Sequence, residues 1–280
     1  MGFIAINPVN GEKITEIPGW DAQTLENTLS QVAAVAPNWA ATPLDERCAL
    51  MRKAAQVLRD NQQKYAELIT QEMGKLIGEA RAEVEKSALG CDFYADNGEK
   101  FLQDEVIASD ASRSFVARQP LGTVLAVMPW NFPFWQVFRF AAPALVAGNT
   151  GVLKHASNVP QCALAIEDVF RQAGFPDGVF RSLMIPASTV KQVIEDTRIH
   201  AVTLTGSEPA GRQVASTAGA CLKKSVLELG GSDAFIVLED ADLDKAVATA
   251  VQSRFLNAGQ SCIAAKRFIV VDAVAEDFLT

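Results

Sequence analysis

Between residues 121 and 239, short continuous apolar runs alternate with amphipathic stretches, and few architectures accommodate that alternation. GTVLAVMP (122–129) and TGVLKHAS (150–157) are uninterrupted enough for strands buried on both faces, and FRSLMIP (180–186), AVTLTGS (201–207) and DAFIVLE (233–239) read the same way. Between them, NVPQCALAIEDVFRQAG (158–174), 188–196 and 209–220 carry helical spacing, the first ending at Gly174, a natural C-cap. Strand and helix alternating at this interval predict an α/β fold with a mostly parallel sheet covered on both faces.

The N-terminal part has a different texture. NPVNGE (7–12) is a turn of Asn, Pro and Gly. From Asp21 to Lys86, apolar residues recur at three and four, which predicts amphipathic helices over a core. SFVARQP (114–120) reads as an extended strand ended by Pro120.

Charge and cysteine usage exclude several function classes. A formal charge of -8 provides no basic excess to displace counterions, so nucleic acid is not expected as a partner. Five cysteines, none spaced as CxxC, stand beside only two histidines, so no metal site is expected and reduced thiols fit better than a disulfide framework. The most apolar stretch, 121–153, is interrupted by Pro129, Asn131, Pro133, Gln136, Arg139 and Pro143, which argues against a membrane span. The N-terminus shows neither a signal peptide nor a myristoylation pattern. The expectation is a soluble cytoplasmic protein.

Four short stretches can carry chemistry, and each has two readings. In AVTLTGSEPAGRQVAS (201–216) a strand runs through Gly206-Ser207 into a helix, which makes either an anion site for a phosphate or a plain turn. Neither a P-loop nor a G-x-G-x-x-G is present there. MPWNFP (128–133) holds Asn131 between two prolines, as a rigid polarising amide or as the cap of a following helix. LELGGSD (227–233) presents Glu228 as a general base or as a surface acid before a turn. NAGQSC (257–262) delivers Cys262, as a nucleophile or as small apolar filler.

PWNFP, LTGS, LELGGSD and NAGQSC, in this order and at these intervals, resemble the aldehyde dehydrogenase superfamily, with EMGK (72–75) and AGFPDGV (173–179) extending the likeness. That resemblance implies a Rossmann-like nucleotide-binding domain (1–101 and 121–230), an oligomerisation strand segment (102–120) and the beginning of an α/β catalytic domain (231–280). It implies Cys262 as the nucleophile, Asn131 as an oxyanion donor and Glu228 as the base that activates water. It implies NAD or NADP as cofactor, held by Trp130, Lys154, Ser157, Thr205, Gly206, Ser207 and Leu229. Ser157 stands where many NAD-selective members carry a Glu that repels a 2'-phosphate, so NADP use is open.

Two departures from the family pattern are His155, in place of the usual proline after the lysine, and Leu204, in place of the usual Phe. Arg139 matches an arginine that binds the substrate carboxylate in succinate-semialdehyde dehydrogenases, although an Arg at a helix end or subunit contact would look alike. The second arginine of those relatives is Leu256 here, with Arg254 two residues further back. LKHASN with LGGSDAFIVL is most similar to the bacterial succinate-semialdehyde dehydrogenase branch, which implies an aldehyde substrate and a homodimer or homotetramer. The likeness covers roughly the first three-fifths of such proteins, so an inactive or nucleotide-binding remnant is the alternative expectation.

Overall fold

The computed structural model describes residues 2–280, which form two compact units, one ending at Leu227 and one running from Glu228 to Thr280. The first opens with an antiparallel hairpin of β1 (Gly2–Ile6) and β2 (Lys13–Pro18). Its turn is the Asn-Pro-Gly segment: the Asn7 side chain accepts the Val9 N–H, and Gly11 takes a φ of +75° that a side chain would resist.

Four helices follow: α1 (Ala22–Ala41), α2 (Leu44–Asp60), α3 (Gln62–Met73) and α4 (Ile77–Leu102). Asp21 caps α1 by accepting the Thr24 N–H, and left-handed Gly74 ends α3. The helix α4 continues well past Lys86, the end of the helical stretch expected from the sequence. Its later turns bury Ala88, Cys91, Ala95 and Gly98, small residues that admit close neighbours. A Cβ at Gly98 would lie 2.9 Å from a Val146 methyl. Beyond it, β3 (Glu105–Val106) and β4 (Phe115–Val116) form a two-residue antiparallel pair, shorter than the strand expected over 114–120.

The α/β part is built from β5 (Thr123–Met128), α5 (Trp135–Val146), β6 (Thr150–His155), α6 (Pro160–Gln172), β7 (Phe180–Ser182), α7 (Val190–Glu195), β8 (Ile199–Gly206), α8 (Glu208–Ala220) and β9 (Lys224–Leu229). Sheet order is β7-β6-β5-β8-β9, with β5 parallel to both β6 and β8, and β6 parallel to β7. Both faces are covered, as the continuous apolar runs require. Ala126 and Leu153 point into a core with Met51, Leu58, Phe138 and Phe170, whereas Leu125 and Val152 point into another with Leu25, Leu29 and Val202. Every residue of β6 is buried.

The second unit contains β10 (Ala234–Val237), α9 (Leu243–Phe255), β11 (Arg267–Val270) and α10 (Ala275–Leu279). The two strands pair in parallel, Ala234 opposite Arg267, and Asp242 caps α9 through the Lys245 N–H. Among the described residues no helix is long and apolar enough to cross a membrane.

Candidate active site

The chain runs from β5 outward through β6 to β7, then returns to the other side of β5 for β8. In an open parallel sheet such a reversal leaves a crevice at the carboxyl ends of the strands, where ligands bind. Val127 is paired with Lys154 on one side and Leu204 on the other, so the segments that follow emerge together. They are the Trp130–Asn131 loop after β5, Ser157 after β6, and Thr205, Gly206 and Ser207 at the end of β8. The first unit therefore gathers most of the expected cofactor residues and Asn131 at one rim.

The rim has the chemistry of a nucleotide site. Ser207 takes extended backbone angles and starts α8 without a side-chain cap, so the Glu208 and Ala210 amides on either side of Pro209 can serve an acceptor. Glu208, in that turn, is engaged by Arg212. Lys154 is buried, which pushes its ammonium below the usual lysine value, and its Nζ donates to the His155 carbonyl at 2.8 Å. No carboxylate pairs with it among the described residues, and an ammonium has three donors. Between α7 and α8, Val127, Val190, Ile194, Leu204, Ala210 and Val214 line an apolar cleft beside the start of α8. Sequence reading missed this cleft, whose only signal is a row of small and branched residues that serves equally well as core.

Arg139 projects from α5, and its Nη2 donates to Thr205 Oγ1 at 3.2 Å. The structure thus places the candidate substrate arginine on a candidate cofactor residue.

The Asn131 loop is anchored by groups that had no assigned role. Glu83, buried in α4, accepts the Phe134 N–H at 2.8 Å and the Trp135 N–H at 3.0 Å, which supplies the start of α5 with the cap its own sequence lacks. Its other oxygen pairs with buried Lys75, whose ammonium lies 4.1 Å from the centre of the Phe132 ring. Burial raises the Glu83 carboxyl against the pull of Lys75 and the two amides, and the same burial lowers Lys75. Glu72 acts similarly at α6, accepting the Gln161 and Cys162 N–H groups at 3.0 Å each. The imidazole of His155 reaches the loop from β6, with Nε2 at 2.9 Å from the Pro133 carbonyl.

The second unit holds Glu228, Leu229 and Cys262. Glu228 and Leu229 are exposed on β9. Cys262 follows a turn in which Asn257, Ala258 and Gly259 have φ of 61°, 53° and 73°. A left-handed alanine is uncommon and strained by about 1–3 kcal/mol, and such strain clusters at functional sites. The turn is braced from both sides: Arg254 Nη1 donates to the Gly259 carbonyl at 3.0 Å, and Lys266 Nζ to the Cys262 carbonyl at 2.6 Å. Arg254 is thereby used as a structural brace. Cys262 is half-buried, whereas Cys48, Cys91 and Cys162 are buried core residues, so the filler reading suits those three better.

Over residues 2–280 the sequence matches the aldehyde dehydrogenase family. The chain belongs to that family. Among curated aldehyde dehydrogenases and their kin, it is 55% identical over 278 residues to the probable succinate-semialdehyde dehydrogenase (NADP(+)) of Synechocystis sp., covering 99% of this chain and 61% of that one. It is 49% identical to the succinate semialdehyde dehydrogenase (NAD(P)+) of Escherichia coli, covering 98% and 60%. The fold matches the crystal structure of succinic semialdehyde dehydrogenase from Streptococcus pyogenes in complex with NADP+, with a TM-score of 0.96 and 40% identity over 99% of this chain and 61% of that one. The chain thus spans about three-fifths of the length of these aldehyde dehydrogenase relatives.

Proposed function

We propose that this protein oxidises a small aldehyde bearing a carboxylate, succinate semialdehyde by likeness to its relatives, to the acid with NADP+ or NAD+. The carrying observation is the rim that joins Lys154, Ser157 and the open start of α8 to the loop bearing Asn131. The cofactor's adenosine would lie in the α7–α8 cleft, its phosphates at Gly206 and Ser207, and its ribose at Lys154. Ser157 is uncharged and exposed, and so admits a 2'-phosphate.

In this reading the Cys262 thiolate adds to the carbonyl carbon, and the negative charge moves to the former carbonyl oxygen. The Asn131 amide and the Cys262 N–H receive that oxyanion. When bound, the nicotinamide supplies the acceptor for the hydride that leaves the carbon, so a thioester remains on Cys262. Glu228 takes a proton from water, the resulting hydroxide attacks the thioester, and the C–S bond breaks to release acid and thiolate. Arg139, whose guanidinium also reaches Thr205, would receive the remote carboxylate. The exposed apolar residues of the β3–β4 segment, Val106, Ile107, Phe115 and Val116, suit a subunit contact within a homodimer or homotetramer.

The test is NADPH formation from succinate semialdehyde by the native protein, alongside Glu228→Gln. The variant should release one equivalent of NADPH per site and then stall. Nucleotide binding without turnover of any aldehyde would favour a binding-only role, and undiminished steady-state turnover in the variant would remove Glu228 from its place.

A further inference from the structure

His155 is the last residue of β6, buried directly after Lys154. Its Nδ1 accepts the Ala156 N–H at 2.8 Å, so that nitrogen carries no proton and the neutral ring must carry its proton on Nε2. Nε2 therefore donates to the Pro133 carbonyl at 2.9 Å. Burial holds the imidazole neutral by pushing its pKa down to about 4, so this tautomer persists at neutral pH.

Pro133 closes the loop that carries Asn131 two residues earlier, and its ring fixes φ at that point. The next two N–H groups, of Phe134 and Trp135, are held by Glu83. Three consecutive residues are thus tied by buried polar groups from β6 and α4. The backbone of His155 faces the other way in function: its carbonyl accepts Lys154 Nζ. One residue touches the candidate cofactor lysine through its main chain and the candidate oxyanion loop through its ring.

We propose that His155 is a positioning residue, which fixes the loop presenting Asn131 to the strand end presenting Lys154, so that oxyanion donor and cofactor contact are held as one piece. This rests on the aldehyde oxidation proposed for the same rim. A proline at this position could lend no side-chain donor, so the bond distinguishes this chain from the usual family pattern.

The test compares His155→Leu, which fills space without a donor, with His155→Gln, whose amide N–H has comparable reach to Nε2. In the native protein, His155→Leu should lower kcat on the order of ten- to a hundredfold, because small misplacements of a catalytic donor are costly. KM for NADP+ should stay within about twofold, and His155→Gln should recover most of kcat. Amide hydrogen exchange should quicken over residues 129–136 in the Leu variant and not in the Gln variant. Should the Leu variant fail to fold, His155→Asn serves in its place, keeping an acceptor for the Ala156 N–H while falling short of Pro133. Unchanged kcat and exchange in the donor-free variant, or equal impairment in both variants, would overturn the proposal. If the unmodified protein oxidises no aldehyde, the functional reading fails, and the exchange comparison alone decides whether His155 holds the loop.

Discussion

The ladders β5–β6 and β10–β11 are both parallel and in register, yet they live in opposite environments. Eleven of the twelve residues in the first pair are buried, whereas Val237 alone is buried among the eight of the second. A parallel ladder is ordinarily covered on both faces. In the first unit that cover exists, and the rim residues stand on strand ends that cannot shift without disturbing two cores. In the second, Cys262 is placed by a tight left-handed turn and two braces from Arg254 and Lys266. One unit holds its functional groups by burial and the other by local hydrogen bonds.

The largest effect should therefore come without a structural cost. Cys262→Ala is expected to abolish aldehyde oxidation, by about 10⁴-fold or more, since in the proposed mechanism the thioester forms on Cys262. As Cys262 is half-buried and its brace runs through its carbonyl, stability should change by no more than about 0.5 kcal/mol. Steady-state kinetics beside a denaturation curve would show this dissociation, and equal loss of both would mean that the turn depends on the thiol.

Glu83→Ala should instead carry a large structural cost. It leaves the Lys75 ammonium buried without its counter-charge and removes the cap of α5, for a loss of about 3–5 kcal/mol. Leu153→Ala, in the middle of β6, should cost about 2–5 kcal/mol through the cavity it leaves. All four tryptophans, 20, 39, 130 and 135, lie in the first unit, so their fluorescence in urea reports these losses selectively. A Glu83→Ala protein as stable as the parent would break the account of the Asn131 loop.

Acid should separate His155 from its neighbours. The group's ordinary value is 6.5 and burial holds it at about 4 in the folded chain. Below pH 6.5 the unfolded chain takes up a proton that the folded chain refuses, so stability falls as pH drops and levels off near pH 4. The stabilising contribution, about 3 kcal/mol, is present in full above pH 6.5 and lost by pH 4. Glu72 and Glu83, whose values are raised, act in the opposite direction on acidification. The measurement is therefore a difference: between pH 7.5 and 4 the urea midpoint of the parent should fall relative to that of His155→Gln, and parallel curves would refute the buried neutral ring.

What could be read beforehand follows a physical division. Strands β5, β6 and β8 were legible because Val, Leu and Ala in unbroken runs leave few alternatives, whereas Asn131, Glu228 and Cys262 each carried two readings and drew their expected roles only from the order and spacing of their motifs. Glu83, Lys75 and His155 were not legible, because their partners are main-chain groups distant in sequence. Phe134 N–H lies 51 residues from Glu83, and an acidic residue in AEVEKS looks like any solvated helix face. His155 was visible only as a departure from a pattern, with nothing local to say which carbonyl it would meet. The length of α4 was hidden for a related reason: Gly90 and Gly98 resemble helix breaks until the close approach of Trp135 and Val146 explains them.

The smallest predicted effect probes the comparison most directly. Ile269 sits at the centre of β11, paired with Ile236, and the two are 48% and 62% exposed. Little apolar surface leaves water there on folding, so Ile269→Ala should cost no more than about 0.5–1 kcal/mol, against the larger loss at Leu153. Amide exchange at 234–237 and 267–270 provides the reading, since no tryptophan reports on this unit. If Ile269→Ala in the native protein costs as much as Leu153→Ala, then another surface covers β10 and β11, and Cys262 is held by burial after all. A small cost would instead leave the Asn257–Gly259 turn, with Arg254 and Lys266, as the device that places the thiol.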